Sequence, residues 1–297
     1  MVIQRLRGGL GNQLFQYAAS KALALHHGVP LKLDTYYYSH HPYRTLGLDK
    51  FRTDYVQAPE RDVSAFVGKT KAQRYFHKRT NYRYCRRAFA QPYYHFYEEF
   101  LDLPSSVYLS GYWQSERYFL PYASAIREHL VPRAPMSDRN AALKQRTQAT
   151  QSVSVHVRRG DYQKSEYASF FAVQPLAYYQ QALKTLREQL DNPTFFFFSD
   201  DIAWCKQTFA DQEAVFIDHN SGAQAYWDLL LMASCKHHII ANSSFSWWGA
   251  WLNPRPDKRV IAPQRWFTTN YSAGKNPVYP ERTYHLKDQL PDGWIRQ

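Results

Sequence analysis

Apolar and amphipathic segments alternate regularly from Val153 onward. Short runs of β-branched and aromatic residues, which are typical of strands, are separated by longer segments with the periodicity of helices. The predicted strands cover residues 153–157, 194–199, 214–217, 237–241 and 259–262, and the predicted helices cover 174–190, 201–210, 223–235 and 244–252. Such alternation is typical of a parallel sheet covered by helices, so it predicts a Rossmann-like α/β domain.

The first of these strands runs directly into two adjacent arginines. The strand at 153–157 has valine at every second position, and Arg158, Arg159, Gly160 and Asp161 follow at its carboxyl end. Open α/β sheets bind ligands at that end of a strand, and guanidinium groups match phosphate oxygens, so a diphosphate is the expected ligand. Since neighbouring side chains point to opposite faces of a strand, one of the two arginines is expected to face it. The alternative is a salt-bridged strand end without a ligand.

A cluster of small polar side chains follows the strand predicted at 237–241. It comprises Asn242, Ser243, Ser244 and Ser246, with Phe245 between the last two. These residues open an aromatic helix, whose first N–H groups and positive dipole end attract phosphate. Helix capping explains one of the hydroxyls, whereas the whole cluster favours a phosphate site. Trp247, Trp248 and Trp251 are expected to pack in the core rather than to bind a base.

Two carboxylates follow the strand predicted at 194–199. Its four phenylalanines predict burial on both faces, and Asp200 and Asp201 lie at its carboxyl end. One aspartate can accept hydrogen bonds from a nucleobase or ribose, and capping of the next helix is the alternative for either residue. A magnesium site is disfavoured because the sequence lacks an obvious set of further oxygen ligands.

A glycine-rich turn near the N-terminus separates a predicted first strand at 2–6 from a predicted helix. Gly9 and Gly11 allow a ligand to approach the backbone closely, and Asn12 and Gln13 can hydrogen-bond a sugar or a phosphate. The segment is not a dinucleotide-binding GxGxxG motif, because the third glycine is missing, and it lacks the lysine of a phosphate loop. A plain strand-to-helix turn remains the alternative.

The chain resembles the bacterial alpha-1,2-fucosyltransferases of glycosyltransferase family 11. The resemblance is carried, in the family's order, by GGLGNQLFQYA (8–18), GYWQSERYF (111–119), HVRRGDY (156–162), FSDD (198–201) and NSSFSWWGAWL (242–252). It implies inverting transfer of L-fucose from GDP-β-L-fucose to the 2-hydroxyl of a terminal galactoside, in the synthesis of a bacterial surface glycan such as an O-antigen. It also implies a GT-B-like fold, with two Rossmann-like domains facing a cleft, that requires no cofactor and no metal.

The resemblance also implies roles for individual residues. Arg158 is expected to engage the donor pyrophosphate. The donor-binding candidates are Gly9, Gly11, Asn12, Gln13, His156, Arg158, Asp200, Asp201, Asn242, Ser243, Ser244, Phe245 and Ser246. Asp161 is the first candidate for the catalytic base, because it follows Arg158 by three residues on one strand end. Glu166 is the second, because the related alpha-1,6 branch has a proposed glutamate base at the same five-residue offset from its motif aspartate. Proton transfer to the departing phosphate is the third possibility.

A polar stretch at 141–151 predicts a boundary between two domains of ordinary size. Residues 1–148 are expected to bind the acceptor, and residues 149–297 are expected to bind GDP-fucose. The tail after Trp266 is expected to cross back onto the N-terminal domain, as the C-terminal ends of GT-B proteins tend to do.

Positive charge is concentrated in the N-terminal half. Residues 1–150 carry 22 basic and 11 acidic side chains, whereas the remainder carries 15 and 14. The segment 69–87 holds eight Lys or Arg and no acid, with Tyr75, Tyr82 and Phe89 at heptad spacing on one helix face. This pattern has two interpretations: a face that lies on an anionic membrane and meets a lipid-linked glycan, or a helix docked on its own domain.

Cysteine usage and hydropathy concern the location of the protein. Cys85, Cys205 and Cys235 form neither a CxxC pair nor an even framework, which predicts reduced thiols. The sequence shows no signal peptide and no apolar run of membrane-spanning length. The expected location is cytoplasmic, with peripheral attachment to the inner face of the cytoplasmic membrane through residues 69–87.

Two other classes of function use the same features. A nucleic-acid binder would use the basic segment and the net charge of +12, but no nucleic-acid module is recognised and the strand-end carboxylates would repel phosphate, so no nucleic-acid partner is expected. A glycosyltransferase that uses GDP-mannose or a UDP-sugar would share the arginines and hydroxyls. A panel of donors separates these enzymes.

Overall fold

The computed structural model describes residues 1–41, 44–80, 82–160, 171–210, 213–267 and 287–297. The chain divides into two compact units. The first contains Met1–Arg133 and, of the later described residues, 287–291; the second begins at Ala134 and includes residues 292–297. The division therefore lies before the polar stretch at 141–151, most of which forms a helix of the second unit rather than a linker.

The first unit contains a parallel sheet of five strands. The strands are β1 (Val2–Arg5), β2 (Leu31–Asp34), β3 (Val56–Gln57), β4 (Ala88–Ala90) and β5 (Val107–Ser110). The helices are α1 (Leu10–His26), α2 (Tyr36–Ser39), α3 (Glu60–Val67), α4 (Lys71–Arg79) and α5 (Ala123–His129). The strand order is β3-β2-β1-β5-β4, so the topological switch point, where open α/β sheets bind ligands, lies between β1 and β5.

The second unit contains a parallel sheet of six strands. The strands are β6 (Gln151–Val157), β7 (Pro193–Ser199), β8 (Ala214–Ile217), β9 (His237–Ile239), β10 (Val260–Ala262) and β11 (Ile295–Arg296). The helices are α6 (Asp138–Ala149), α7 (Leu176–Gln189), α8 (Ile202–Thr208), α9 (Tyr226–Ser234) and α10 (Ser244–Leu252). The order β11-β10-β9-β6-β7-β8 is that of the Rossmann fold, as predicted, with its switch point between β6 and β9.

The core of the second unit follows the predicted pattern of burial. Val155 of β6, Phe197 of β7 and Ile239 of β9 are fully buried in one cluster with Leu183 and Leu186 of α7. The neighbouring phenylalanines of β7 are buried as well, so this strand is covered on both faces. The three tryptophans of α10 are also buried and pack against one another, which confirms that they belong to the core.

A polar cluster joins α6 to the segment that follows β8. Asn140 Nδ2 donates to Asn220 Oδ1 at 3.0 Å, and Asn220 Nδ2 donates to Asp228 Oδ1 at 2.8 Å. His219 Nε2 lies 2.7 Å from Asn140 Oδ1. Burial raises the pKa of Asp228 to about 7, although the hydrogen bond from Asn220 lowers it.

The heptad helix expected around residues 69–87 does not form. Helix α4 ends at Arg79, and Tyr82 is buried in the left-handed region, with φ at 60°. The chain therefore turns at Tyr82, and Phe89 lies in β4. Tyr75, Tyr82 and Phe89 do not share a helix face, because a sequence repeat alone carries no information on where the helix stops.

Candidate active site

The second sheet brings three of the polar motifs to one edge. Strand β6 pairs with β7 on one side and with β9 on the other, all in parallel. Their carboxyl ends therefore meet, and the paired arginines, the paired aspartates and the serine cluster lie on neighbouring strands. This arrangement is the one that the sequence predicted.

Arg158 forms an ion pair with Asp200. Arg158 Nε lies 3.3 Å from Asp200 Oδ2, and the backbone N–H of Arg159 donates to Asp200 Oδ1 at 2.9 Å. Burial alone would raise the pKa of Asp200, but the Arg158 guanidinium and the N–H groups of Arg159 and Gly160 outweigh it and hold the pKa below its usual value. Asp200 is thus a fixed anion that orients Arg158.

Arg159 points to a different partner. Its Nε lies 3.6 Å from Asp201 Oδ2, and its guanidinium stacks on the Trp204 ring at 4.0 Å from the centroid. Asp201 is also the N-cap of α8, since its Oδ1 accepts from Trp204 N at 3.3 Å. The two arginines therefore diverge as expected, and the capping interpretation holds for Asp201.

His156 lies on β6 just before the arginines and is nearly inaccessible. Its ring packs beside Phe245, with centroids 5.8 Å apart. Burial, and then the nearby Arg158 charge, lower the pKa of His156 to about 3, although Asp200 acts in the opposite direction. The imidazole is therefore neutral at physiological pH, and its Nδ1 has no hydrogen-bond partner among the described residues.

The start of α10 uses most of the serine cluster for its own structure. Ser243 is the N-cap, and its hydroxyl accepts from Phe245 N at 3.3 Å. Ser246 is buried, and its hydroxyl donates to the carbonyls of Ala241 and Ser243. Ser244 is partly exposed, and its hydroxyl makes no hydrogen bond to another described residue. Of the hydroxyls in this cluster, that of Ser244 thus belongs to the least buried residue.

Asn242 is a structural residue in this arrangement. Its buried Nδ2 donates to the carbonyl oxygens of Ala172 and Trp266, at 2.8 and 2.7 Å. The amide therefore ties the end of the β9 region to two other stretches of chain. The sequence analysis predicted that Asn242 binds a phosphate, but both protons of its amide are donated to backbone carbonyls instead.

The glycine turn of the first unit is tightly built. Gly8 has φ at 83°, and a Cβ there would meet Asn12 Nδ2 at 2.7 Å. Gly9 is the N-cap of α1. Gln13, expected to contact a ligand, is buried instead: its Nε2 donates to the carbonyls of Gly8 and Thr45. Gly11, within α1, is also buried, so Gly9 and Asn12 are the accessible candidates.

Residues after β5 complete this edge, and sequence reasoning named none of them as site residues. Gln114 Nε2 donates to Asn12 Oδ1 at 2.6 Å, while Gln114 Oε1 accepts from Tyr94 and Gln289. Trp113 is fully buried with φ at 55°, a conformation that non-glycine residues adopt at a cost and that is common at functional sites. The available signal was the GYWQSERYF motif itself.

Arg7 adds a positive charge near the same turn. Its guanidinium lies over the Tyr112 ring at 4.4 Å, and its backbone N–H is fixed by Gln16 Oε1 at 3.0 Å. The Nε of Arg7 is buried and has no hydrogen-bond partner in the described part of the chain. The switch point of the first sheet therefore combines a cation, two amides and an open glycine turn.

The two candidate bases, Asp161 and Glu166, lie outside the described residues. All three cysteines are described and unpaired; Cys205 and Cys235 are buried and Cys85 is partly so. In the described ranges, no helix is both long and apolar enough to span a bilayer.

The fold is similar to that of a solved fucosyltransferase. NodZ alpha-1,6-fucosyltransferase of Bradyrhizobium, whose crystals were soaked with GDP-fucose, superposes with a TM-score of 0.52 over 89% of this chain and 94% of NodZ, at 18% identity. This likeness supports the GT-B-like α/β fold.

Sequence comparison identifies the family. An alpha-1,2-colitosyltransferase of Escherichia coli is 37% identical over 307 residues, covering 100% of this chain and 98% of the relative. Galactoside 2-alpha-L-fucosyltransferase SEC1 of Bos taurus is 34% identical over 103 residues, or 34% of this chain and 28% of that protein. The family model described as glycosyl transferase family 11 matches residues 1–284, and the chain belongs to this glycosyltransferase family.

Proposed function

We propose that the protein transfers L-fucose from GDP-β-L-fucose to the 2-hydroxyl of a terminal galactoside, with inversion to an alpha-1,2 linkage. The observation that carries the proposal is Arg158, held by Asp200 at the switch point of the second sheet. Similarity to galactoside fucosyltransferases supports both substrates. Synthesis of a bacterial surface glycan is the proposed setting.

Arg158 is the proposed catalytic cation. When the glycosidic C–O bond breaks, GDP leaves with increasing negative charge on the oxygen that it takes from the bond. A guanidinium fixed in advance stabilises that charge more in the transition state than in the ground state. Asp200 supports this role because it keeps Arg158 in place, so less reorganisation is needed as the charge develops.

The start of α10 is the proposed second contact with the diphosphate. The Ser244 hydroxyl and the N–H groups of the first turn offer donors at the positive end of the helix dipole. Together with Arg158 they supply cationic and dipolar stabilisation, so we propose that no metal is required. Neutral His156 and the Phe245 ring would form an uncharged wall beside this contact.

The nucleoside contact is assigned to Asp201. A carboxylate has about four acceptor positions; capping of α8 uses one of them, and Arg159 lies beside Oδ2. Asp201 can therefore still accept hydrogen bonds from guanine or ribose. Asp200 is better described as a positioning residue for Arg158.

The residues at the switch point of the first sheet are the proposed sugar contacts of that unit. Gly9 leaves room for close approach, and Asn12 is oriented by Gln114. We propose that the N-terminal unit, residues 1–133 in the structure, binds the acceptor. Asn12 is proposed to donate a hydrogen bond to the donor substrate. The acceptor proton passes to Asp161 as first choice, to Glu166 as second, or to the departing phosphate.

A colitosyl donor is the second candidate. It is favoured by one observation: the relative that matches the full length of the chain is named an alpha-1,2-colitosyltransferase. The proposed roles of Arg158, Ser244 and Asp201 concern only the GDP portion, so they hold for both donors.

The test is a donor panel with purified protein. GDP-fucose, GDP-colitose, GDP-mannose and a UDP-sugar are each incubated with galactose-terminated oligosaccharides, and the product linkage and anomeric configuration are determined by NMR. We expect turnover with GDP-fucose and an alpha-1,2-fucosyl product. Preference for GDP-colitose would identify the second candidate as the donor. Turnover only with GDP-mannose or the UDP-sugar would contradict the proposal.

A further inference from the structure

Helix α4 is largely exposed, with Arg74 and His77 only partly so. None of its nine residues is buried, although it includes Tyr75 and Phe76, whose exposures are 66% and 51%. Tyr84, in the turn that follows, is 64% exposed, and its ring stacks on Phe76 with centroids 5.9 Å apart. Large apolar side chains that cluster at a surface mark an interaction site.

This largely exposed helix is held at its start, its middle and its end. Thr70 and Gln73 form a capping box at its first turn. At the other end, Tyr82 is buried, and its hydroxyl accepts from Arg5 at 3.5 Å. Arg74 anchors the middle through Ser64 and Glu60 of α3. The aromatic cluster is therefore displayed by a structured segment.

The same segment carries a large excess of positive charge. Residues 69–87 contain eight Lys or Arg and no acid. Arg74 pairs with Glu60, and Arg87 lies over the Phe66 ring at 4.1 Å. The other six cations form no ion pair with another described residue; they are Lys69, Lys71, Lys78, Arg79, Arg83 and Arg86. These cations, with Tyr75, Phe76 and Tyr84, are called the α4 surface below.

The α4 surface continues toward the candidate active site of the first unit. The pKa of Lys78 is lowered, first by the charge of Arg5, then by burial and by the charge of Arg7. Arg5 is the last residue of β1, and Arg7 precedes the glycine turn. Cations therefore extend from α4 to the carboxyl edge of the sheet.

We propose that the α4 surface holds the protein on membranes with anionic headgroups. Aromatic rings settle at the headgroup level, while lysine and arginine attract anionic lipids through long flexible stems. Single-stranded nucleic acid is the weaker fit, because Phe76 and Tyr84 stack on each other, so one face of each ring is turned toward the other ring rather than toward a base. The proposal goes beyond the proposed reaction and does not depend on it.

The test is vesicle flotation of the purified full chain without donor or acceptor. Vesicles of phosphatidylcholine alone are compared with vesicles that also contain phosphatidylglycerol. We expect flotation only with phosphatidylglycerol, weakened by salt. The double variant Lys78→Glu/Arg79→Glu should lower the partition coefficient by at least about tenfold, because each cation strengthens binding to an anionic surface. Phe76→Ser/Tyr84→Ser should lower it as well.

Two variants outside the α4 surface serve as controls. Leu120→Ser replaces a side chain that is 50% exposed elsewhere in the first unit, and Lys144→Glu reverses an exposed charge on α6. Both should float like the wild type, and circular dichroism shows whether each variant is folded. Equal flotation of folded α4 variants and the wild type would overturn the proposal, as would no flotation with phosphatidylglycerol. Binding to a labelled oligonucleotide that the α4 variants abolish, without vesicle binding, would identify a nucleic-acid surface instead.

Discussion

Gln114 Nε2 donates a hydrogen bond of 2.6 Å to Asn12 Oδ1 and so fastens the turn after β5 to the first turn of α1. The two residues lie 102 positions apart in the sequence. Gln114 also accepts from Tyr94 and Gln289, so one amide coordinates three parts of the first unit. The position of the Asn12 side chain therefore depends on Gln114.

Replacing Gln114 should affect both stability and activity. Gln114→Leu removes one hydrogen-bond partner from each of three polar side chains, which should cost about 1–3 kcal/mol in the free energy of unfolding. If Asn12 contacts substrate, kcat/KM should fall as well. Urea unfolding and steady-state kinetics measure the two effects, with Gln207→Leu on the exposed face of α8 as the control. Full activity of folded Gln114→Leu would show that the orientation of Asn12 is unimportant.

Loss of Arg158 should slow the reaction strongly. Removing one fixed donor from the charge that develops on GDP should cost on the order of 3 kcal/mol, or about a hundredfold in kcat. Asp200→Asn should produce a smaller loss, since it keeps the shape but weakens the hold on Arg158. Asp218→Asn is the control, because Asp218 pairs with Arg139 and Lys206 at the surface. Near-normal turnover of Arg158→Ala would contradict the catalytic role assigned to Arg158.

Activity should survive removal of divalent metal. The Arg158 guanidinium and the start of α10 are proposed to neutralise the diphosphate, so EDTA should leave turnover unchanged. The rate is measured with and without chelator, and then with added magnesium or manganese. Complete loss with EDTA, restored by either metal, would disprove both the metal-independent mechanism and the role given to Asp201.

The catalytic base is tested by two isosteric variants. If Asp161 accepts the proton of the acceptor hydroxyl, Asp161→Asn at saturating donor should lose about 10² to 10⁴ in kcat. Glu166→Gln should then retain most of the rate. The reverse pattern would identify Glu166, and little loss in either variant would favour proton transfer to the departing phosphate.

Stability should fall as the pH rises from about 4 to 7 through the contribution of Asp228. Its folded pKa of about 7 lies above the ordinary value of 3.8, so over this window the folded state binds the proton more tightly than the unfolded chain. The stabilisation is complete below pH 4 and is lost by at most about 1.4 kcal/mol per pH unit up to 7. Asp228→Asn keeps the acceptor for Asn220 and removes this dependence.

The measurement is the melting temperature of both proteins from pH 5 to 8. We expect Asp228→Asn to gain relative to the wild type as the pH rises. Parallel pH profiles would show that Asp228 is ionised in the folded protein at all these values.

Much of the fold could be predicted because its signals are local. Helix α10 has the predicted bounds, since Ser243 caps it and the buried tryptophans have helical spacing. Strand β11 was missed because two exposed residues carry no periodicity. Helix α6 was taken for a boundary because its sequence is polar, and the structure buries Asn140 and Thr147 on it.

The sequence predicted many residues of the candidate site, but not the contacts between them. The sequence placed the arginines, aspartates and serines at one edge, because parallel strands end together. It could not show that Asp200 holds Arg158 or that Gln13 is internal, because those contacts depend on how distant segments pack. The partnership of Asn12 with Gln114 is of the same kind.

The hydrogen bonds of Asn242 have a consequence for mutational scanning. One of the two carbonyls belongs to Ala172, which lies just before helix α7. The other belongs to Trp266, whose neighbour Phe267 forms a β-bridge with Phe171. Asn242→Ala would therefore release two chain segments at once. An alanine scan read through activity alone would score position 242 as a ligand contact, although the defect would originate in scaffolding.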